Sequence, residues 1–215
     1  GKHLTSALTF RLEKKDQFSA DGRSSIDEAE EDTRTIFVTT PYVRYDSRDD
    51  FVRPKKGLLS SLSVDLSKGV QNQLDDFIRY QFDTRYYLTP IERLTFAGLA
   101  RFGKVASYSD TGNVPDDQLF FLGGIQDVRG YDENLLRFNE DGDPLGGQLA
   151  VVGSLEARID LGYNFELAAF FDTGTVREPQ EDFGSDKWRS AVGLGLRYIT
   201  PIGPMGLLYG YKLDR

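Results

Sequence analysis

One stretch of the sequence, residues 123–131, combines small, flexible residues with a single arginine, Arg129. A guanidinium stays charged and donates a planar fork of hydrogen bonds, so it suits a bidentate pair with a carboxylate. The surrounding irregular segment, residues 110–147, is longer than most loops of compact domains, and such long loops are usually functional or disordered. Its many apolar side chains need a place to pack. We therefore expect this segment to fold back into the protein and Arg129 to meet an acidic partner there.

Other residues that could carry chemistry are scarce. The chain has no cysteine, which excludes disulfides, thiol nucleophiles and cysteine-ligated metals. His3 is the only histidine and stands near the start of the sequence, so neither a Ser-His-Asp triad nor a histidine-ligated metal is expected. Asp141, Gly142 and Asp143 resemble part of a calcium loop, but the remaining ligand spacing is missing, which favours a polar turn. The sequence therefore predicts no enzyme, no metal and no cofactor.

Charge and hydropathy exclude two further classes. The formal net charge is -8 and no basic patch is present, so nucleic acid is not an expected partner. The acidic run at residues 27–32 is interpreted as a solvated loop, with cation binding as the alternative. No apolar run approaches the roughly 18 residues of a membrane helix. The mean hydropathy of -0.42 fits a soluble protein, but it also fits a transmembrane β-barrel, where every second residue faces lipid.

Nine segments alternate apolar and polar residues with the period of a β-strand, and no segment has a convincing helical period. The predicted strands are residues 4–13, 34–47, 58–68, 76–88, 93–108, 148–161, 165–176, 188–200 and 205–214. Short connections are predicted at residues 89–92, 162–164 and 201–204, and longer ones at 14–33, 110–147 and 177–187. Short turns on one side and long loops on the other are typical of a transmembrane barrel.

The two faces of these predicted strands differ in character. One face carries charges that a dry core would not accept unpaired; these are Arg79, Asp83, Arg85, Arg93, Arg101, Glu156, Arg158, Asp160, Arg189 and Arg197. The other face is apolar and edged by aromatic residues in the manner of interfacial girdles; these are Tyr80, Tyr86, Trp188, Tyr198 and Tyr209. The pattern predicts an all-β, transmembrane, antiparallel up-and-down barrel with a wet lumen. A soluble sandwich is the alternative.

The sequence Val128-Arg129-Gly130-Tyr131 resembles the VRG[FY] motif in the sixth extracellular loop of Omp85 proteins. These are outer-membrane barrels that insert or translocate other polypeptides. Phe170, Asp172 and Gly174 resemble the family's FxDxG motif, two strands downstream. Further resemblances are residues 154–156 to the family's glutamate region, 198–204 to its penultimate turn, and 45–49 with Pro54 and Gly57 to an earlier strand-to-turn signature. The ordered combination covers residues 34–215 and is far more specific than VRGY alone.

The resemblance implies a barrel of about sixteen strands. Residues 1–215 are therefore expected to be the C-terminal part of an Omp85-type barrel, with the loop at about 110–147 folding inward and with POTRA domains and the final strand absent. By the strand alternation, Glu156 and Asp172 point into the lumen, where Arg129 can reach one or both. Gly130 permits tight backbone geometry, and Tyr131 can cover the ion pair and hydrogen-bond at its rim. The expected latch consists of Val128, Arg129, Gly130, Tyr131, Glu156, Phe170, Asp172 and Gly174.

The implied function is that of an assembly factor in the BamA- and TamA-like branch of the family, which inserts β-barrel proteins into the outer membrane without covalent chemistry. The expected partners are the outer-membrane bilayer, unfolded outer-membrane proteins and periplasmic or lipoprotein accessory subunits. A two-partner-secretion translocator is the main alternative. A passive outer-membrane pore or an outer-membrane enzyme is a third interpretation.

Overall fold

The structure, a computed structural model, describes residues 3–16, 33–70, 75–109, 114–181 and 188–214. Within these ranges the chain forms one antiparallel sheet of nine strands, whose order in space is their order in the sequence. The strands are β1 (Leu4–Asp16), β2 (Thr33–Asp46), β3 (Gly57–Gly69), β4 (Phe77–Ile91), β5 (Leu94–Ser107), β6 (Leu149–Gly162), β7 (Phe165–Arg177), β8 (Arg189–Thr200) and β9 (Gly203–Lys212). This confirms the predicted up-and-down β fold. The acidic run at residues 27–32 lies outside the described residues.

A short 3₁₀ helix, Asp116–Gln118, lies in the loop that joins β5 and β6. Among the described residues, no helix has the length and apolar character needed to cross a membrane.

Two predicted connections are shorter than expected. The prediction placed a connection at residues 89–92, but β4 continues through Pro90 to Ile91, which pairs with Leu94 of β5. A register shift between Leu88 and Ile91 accommodates the proline, which cannot donate to the ladder. The prediction of a turn at residues 201–204 was also too long, because β9 already begins at Gly203, which pairs with Thr200.

The alternation of the strands separates two faces of the sheet. In β7, Glu166, Ala168, Phe170 and Asp172 are buried, and the residues between them are exposed. We call the face that carries these buried residues the inner face and the opposite one the outer face. Side chains alternate between the two faces along each strand, with the period of two seen in the sequence.

The core of the protein lies on the inner face, between the β5–β6 loop and strands β4 to β8. Its buried apolar residues are Phe77, Val105, Phe120, Leu122, Val128, Leu136, Ala150, Val152, Val176 and Ala191. Four of these come from the loop, so the loop supplies much of the apolar surface against which the sheet packs. Large apolar side chains on the outer face are exposed instead, for example Leu207 at 85% and Leu155 at 67%. A continuous apolar outer face suits contact with lipid.

Candidate functional site

Arg129 is held against the inner face by the carboxylate of Asp172 on β7. Its Nε and one terminal nitrogen donate to the two carboxylate oxygens, each at 2.7 Å, and its backbone N–H donates at 3.1 Å. The side chain of Asp172 is fully buried and that of Arg129 is 11% exposed. Asp172 also accepts a hydrogen bond of 2.6 Å from the Ser154 hydroxyl on β6. The backbone of the loop and the side chain of Arg129 are thus fixed by the same acidic group.

Glu156 on β6 shares its carboxylate among three arginines. Arg129 donates to it from the second terminal nitrogen. Arg158 donates at 2.7 Å, and Arg197 on β8 donates through two nitrogens at 2.7 and 2.8 Å. Buried charges are costly unless they are paired and hydrogen-bonded, and here Glu156 is the shared partner of all three arginines. Removal of one member would leave the others stranded.

The aromatic ring of Phe170 packs against the guanidinium of Arg129. The Arg129 Cζ atom lies 3.6 Å from the centre of the Phe170 ring, and the ring itself is buried. A cation over an aromatic face gains electrostatic attraction, and more so where water is excluded. The neighbouring Val128 is fully buried in the core, and the missing side chain of Gly174 makes room for it: a Cβ at Gly174 would lie 2.8 Å from a Val128 methyl.

Burial and hydrogen bonding act in opposite directions on Arg129. Burial alone would lower the pKa of its guanidinium, but the hydrogen bonds to Asp172 and Glu156 outweigh it and raise the pKa above its ordinary value. The guanidinium therefore remains charged at neutral pH.

Gly130 brings the loop backbone into direct contact with β9. Its φ of +97° lies in the region that favours glycine, and a Cβ at this position would lie 3.1 Å from the carbonyl carbon of Gly210. A Cβ at Gly210 would in turn lie 2.8 Å from the backbone of Gly130. The pair of glycines therefore allows a close approach of two backbones that larger residues would prevent.

Tyr131 has partners on the last two strands that the sequence did not indicate. Its hydroxyl donates to Asp214 at 2.8 Å, beyond the end of β9, and lies 3.4 Å from the carbonyl of Ser190 on β8. The Lys212 ammonium lies 4.9 Å from the centre of its ring. Burial, followed by the hydrogen bond to Asp214, raises the pKa of Tyr131 to about 12. The tyrosine therefore binds the last two strands, next to the ion pairs.

The structure thus brings all eight predicted latch residues into one region, whose role stays a prediction. Sequence reasoning missed Arg158 and Arg197 as partners of Glu156, although the alternation had placed both on the charged face. It also missed the pair between Arg101 on β5 and Asp127 in the loop. The alternation along β5 had placed Arg101 on the charged face. Asp127 lies in the loop, where no alternation indicates the direction of a side chain.

The remaining candidates have local roles. His3 Nδ1 hydrogen-bonds the carbonyl of Asp46 at 2.9 Å. At residues 141–143 the backbone closes on Asn139, whose side-chain oxygen accepts from the N–H of Asp143 at 2.8 Å, as in a polar turn. Within the described ranges, no group of three or more histidine and acidic side chains is arranged to hold a metal ion.

Comparison with known proteins identifies relatives of the whole chain. A family model described as "Omp85 superfamily domain" matches residues 2–215. The outer membrane protein assembly factor BamA of Nitratidesulfovibrio vulgaris is 29% identical over 225 residues, which include all of this chain and 28% of that protein. The chain thus spans less than a third of this relative.

Two solved structures are similar in fold. The crystal structure of BamA from Haemophilus ducreyi lacking POTRA domains 1–3 has a TM-score of 0.75 and 18% identity, and the match covers 100% of this chain and 49% of that one. CdiB from Acinetobacter baumannii has a TM-score of 0.65 and 16% identity, and the match covers 99% of this chain and 36% of that one.

Proposed function

This chain belongs to the Omp85 superfamily of outer-membrane β-barrel proteins, and we propose that it is the C-terminal part of a barrel that inserts other β-barrel proteins into the outer membrane. The proposal is supported by the similarity to BamA along the whole chain. In a closed barrel of this kind the inner face lines the lumen and the outer face meets lipid.

The observation that carries the proposal is the ion-pair centre formed by Arg129, Asp172 and Glu156. It holds the loop against strands β6 and β7, while Gly130 contacts β9. A loop fixed in this way braces the barrel wall, so that the wall keeps its shape when an incoming strand pairs with a sheet edge. Such strand addition supplies main-chain hydrogen bonds and needs no covalent chemistry. The family consists of assembly and translocation factors.

The partners that follow from this proposal are the outer-membrane bilayer, unfolded outer-membrane proteins and periplasmic or lipoprotein accessory subunits. The second candidate is a two-partner-secretion translocator, in which the lumen is the path and the loop is a plug. It is favoured by the position of the β5–β6 loop, whose apolar residues fill the inner face between β4 and β8.

The test uses the full-length protein reconstituted in liposomes and follows the insertion of a urea-unfolded outer-membrane barrel by its protease resistance. We expect faster insertion than in empty liposomes, and we expect Asp172→Asn to remove most of the gain. Asp65→Asn is the matched control, because Asp65 on β3 accepts from Thr40 at 2.7 Å, away from the centre. Insertion no faster than in empty liposomes would overturn the proposal, and transport of a secreted polypeptide into the liposome lumen would establish the translocator.

A further inference from the structure

The connection between β2 and β3, residues 47–56, folds onto the inner face at the opposite end of the strands from the β5–β6 loop. Two aspartates shape it. The carboxylate of Asp49 accepts the N–H groups of Lys55 and Lys56 at 2.9 and 3.0 Å. The carboxylate of Asp50 accepts the N–H of Arg53 at 2.6 Å. Such side-chain caps satisfy the backbone of a tight turn, and here they present Arg53. We call residues 47–56 the inner turn.

Arg53 reaches from the inner turn to the strands that carry the ion-pair centre. Its Nε lies 3.2 Å from Glu166 on β7, and a terminal nitrogen lies 3.0 Å from Asp160 on β6. These strands are separated from β3 by β4 and β5 in the sheet. The inner turn also contacts β4, where the hydroxyl of Thr89 donates a hydrogen bond of 2.7 Å to the carbonyl of Lys55. The inner turn therefore spans several neighbouring strands.

The carboxylates that Arg53 binds stand directly opposite each other, because Asp160 pairs with Glu166 in the β6–β7 register. Like charges in this position destabilise a sheet. Glu166 is also 5% exposed, so water can do little to screen it. A fork that donates to both groups removes the repulsion. Arg53 is thus the shared counter-ion of an otherwise unfavourable cross-strand pair.

Glu166 also connects this pair to the ion-pair centre. A terminal nitrogen of Arg197 lies 3.6 Å from Glu166, and the same guanidinium donates to Glu156 at 2.7 and 2.8 Å. Opposite charges therefore alternate without a gap from the inner turn to the loop. We call this series the ionic row, and its members in order are Asp160, Arg53, Glu166, Arg197, Glu156, Arg129 and Asp172.

We propose that the ionic row couples the inner turn to the β5–β6 loop, so that displacement of the turn at one membrane surface loosens the loop that enters from the other. The physical step is a competition for Arg197. With Arg53 in place, Arg197 is closer to Glu156 than to Glu166. When Arg53 leaves, the buried Glu166 loses a counter-ion and draws Arg197 away from Glu156, which weakens the hold on Arg129. Glu156 and Glu166 are alternative partners within reach of Arg197, and the choice between them supplies the two states that such coupling requires.

The placement of the two segments at opposite membrane surfaces rests on the proposed function, but the coupling itself does not. It is measured on purified full-length protein in detergent, without any substrate, by hydrogen exchange and mass spectrometry. A protein that inserts barrels and yet shows no coupling would overturn the ionic row and leave the proposed function standing.

The decisive variant is Arg53→Gln, read at loop residues 123–136. We expect amide exchange there to rise by about fivefold or more, because allosteric couplings usually reach this size. Reciprocity requires that Arg129→Gln raise exchange in the inner turn. Lys56→Gln is the matched control, because it removes one positive charge from an exposed position in the same turn, and loop exchange should stay as in the unchanged protein.

Two results would overturn the proposal: a rise in the inner turn with unchanged exchange in the loop, or equal rises in the loop for Arg53→Gln and Lys56→Gln. If Arg53→Gln fails to fold, Arg53→Lys replaces it. Lysine keeps the charge, but its compact ammonium cannot fork between two carboxylates as a guanidinium does. A smaller rise in loop exchange is then expected, and an unchanged loop would again overturn the coupling.

Discussion

The β5–β6 loop and the inner turn are both held against the inner face of the sheet, but by different interactions. Each folds onto the inner face, and each places an arginine on carboxylates of β6 and β7. The loop adds four buried apolar residues to its ion pairs, whereas at the inner turn Pro54 is buried and Phe51 is 78% exposed. Each fully buried large apolar side chain contributes about 1.5–3 kcal/mol. The loop is therefore held by burial and charge together, and the inner turn mainly by charge and hydrogen bonds.

This difference indicates which segment moves more easily. An ion pair becomes weaker as its charges become more accessible to solvent, and the side chains that form it also lose entropy. Arg53 is 21% exposed, against 11% for Arg129. The inner turn is therefore expected to open more often than the loop.

The largest effect is expected for Arg129→Ala, which tests whether charge contributes to the loop as strongly as burial. The substitution removes the Arg129 counter-charge from the buried carboxylates of Asp172 and Glu156. Loss of one partner of a buried pair costs about 3–5 kcal/mol. We expect the loop to loosen more than the sheet unfolds, with protease cleavage in the loop faster by about 100- to 4,000-fold. Arg85→Ala, at a 38% exposed side chain paired with Asp83, is the control. Unchanged protection of the loop would contradict the ion-pair centre as its anchor.

A smaller effect is expected for Gly210→Ala, which tests the close approach of the loop backbone to β9. The added methyl would collide with Gly130 and should weaken docking of the loop by about 1–3 kcal/mol, as overpacking does. The measurement is loop protection against protease. Gly98→Ala serves as the control, because a Cβ there lies at an ordinary 3.7 Å from Leu155. Equal effects of the two substitutions would show that the close approach is unimportant.

Acid should affect the inner turn through Asp49. Burial would raise the pKa of this carboxyl, but the N–H groups of Lys56 and Lys55 outweigh it and lower the pKa below its ordinary value of 3.8. A lowered pKa in the folded state means that the stabilisation is complete above 3.8 and is lost as the pH falls through the folded value. We expect amide exchange in the turn, corrected for the intrinsic rate, to be equal at pH 7 and about pH 5 and to rise only after the pH has fallen below 3.8. Asp49→Asn should reduce this dependence, because Asp50 and the carboxylates bound to Arg53 remain, and a rise already at about pH 5 would contradict the role of Asp49.

The smallest effect is expected for Asp127→Asn, in the loop itself. Burial raises the pKa of Asp127 although Arg101 opposes the shift, so the charged form is disfavoured when the loop is docked. The neutral amide removes this penalty, and Arg101 keeps its pair with Asp83 at 3.1 Å. Loop protection should change by less than about 0.5 kcal/mol. A loss as large as that of Arg129→Ala would mean that charge holds the loop at both ends.

The sequence predicted the parts of the site that depend on strand parity. A period of two placed Glu156 and Asp172 on the same face, and composition showed that the loop must pack somewhere. The alternation along a strand shows which face a residue lies on, but not which residues of the other strands lie next to it. It therefore could not show that Arg197 donates to Glu156. Arg53 lies in a turn, where no period applies, and its partners are 107 and 113 residues away. The partner of the Tyr131 hydroxyl, Asp214, was not predicted for the same reason.

The long sequence separation within the ion-pair centre also orders events during folding. Arg129 meets Asp172 only across 43 residues, and Glu156 meets Arg197 across 41. Contacts of this kind require loop-closure entropy to be lost first and therefore form slowly. The four groups cannot meet until β6, β7 and β8 have paired, so docking of the loop reports that these hairpins are in register. We therefore expect the ion pairs of Arg129 to be among the last contacts to form as the sheet folds.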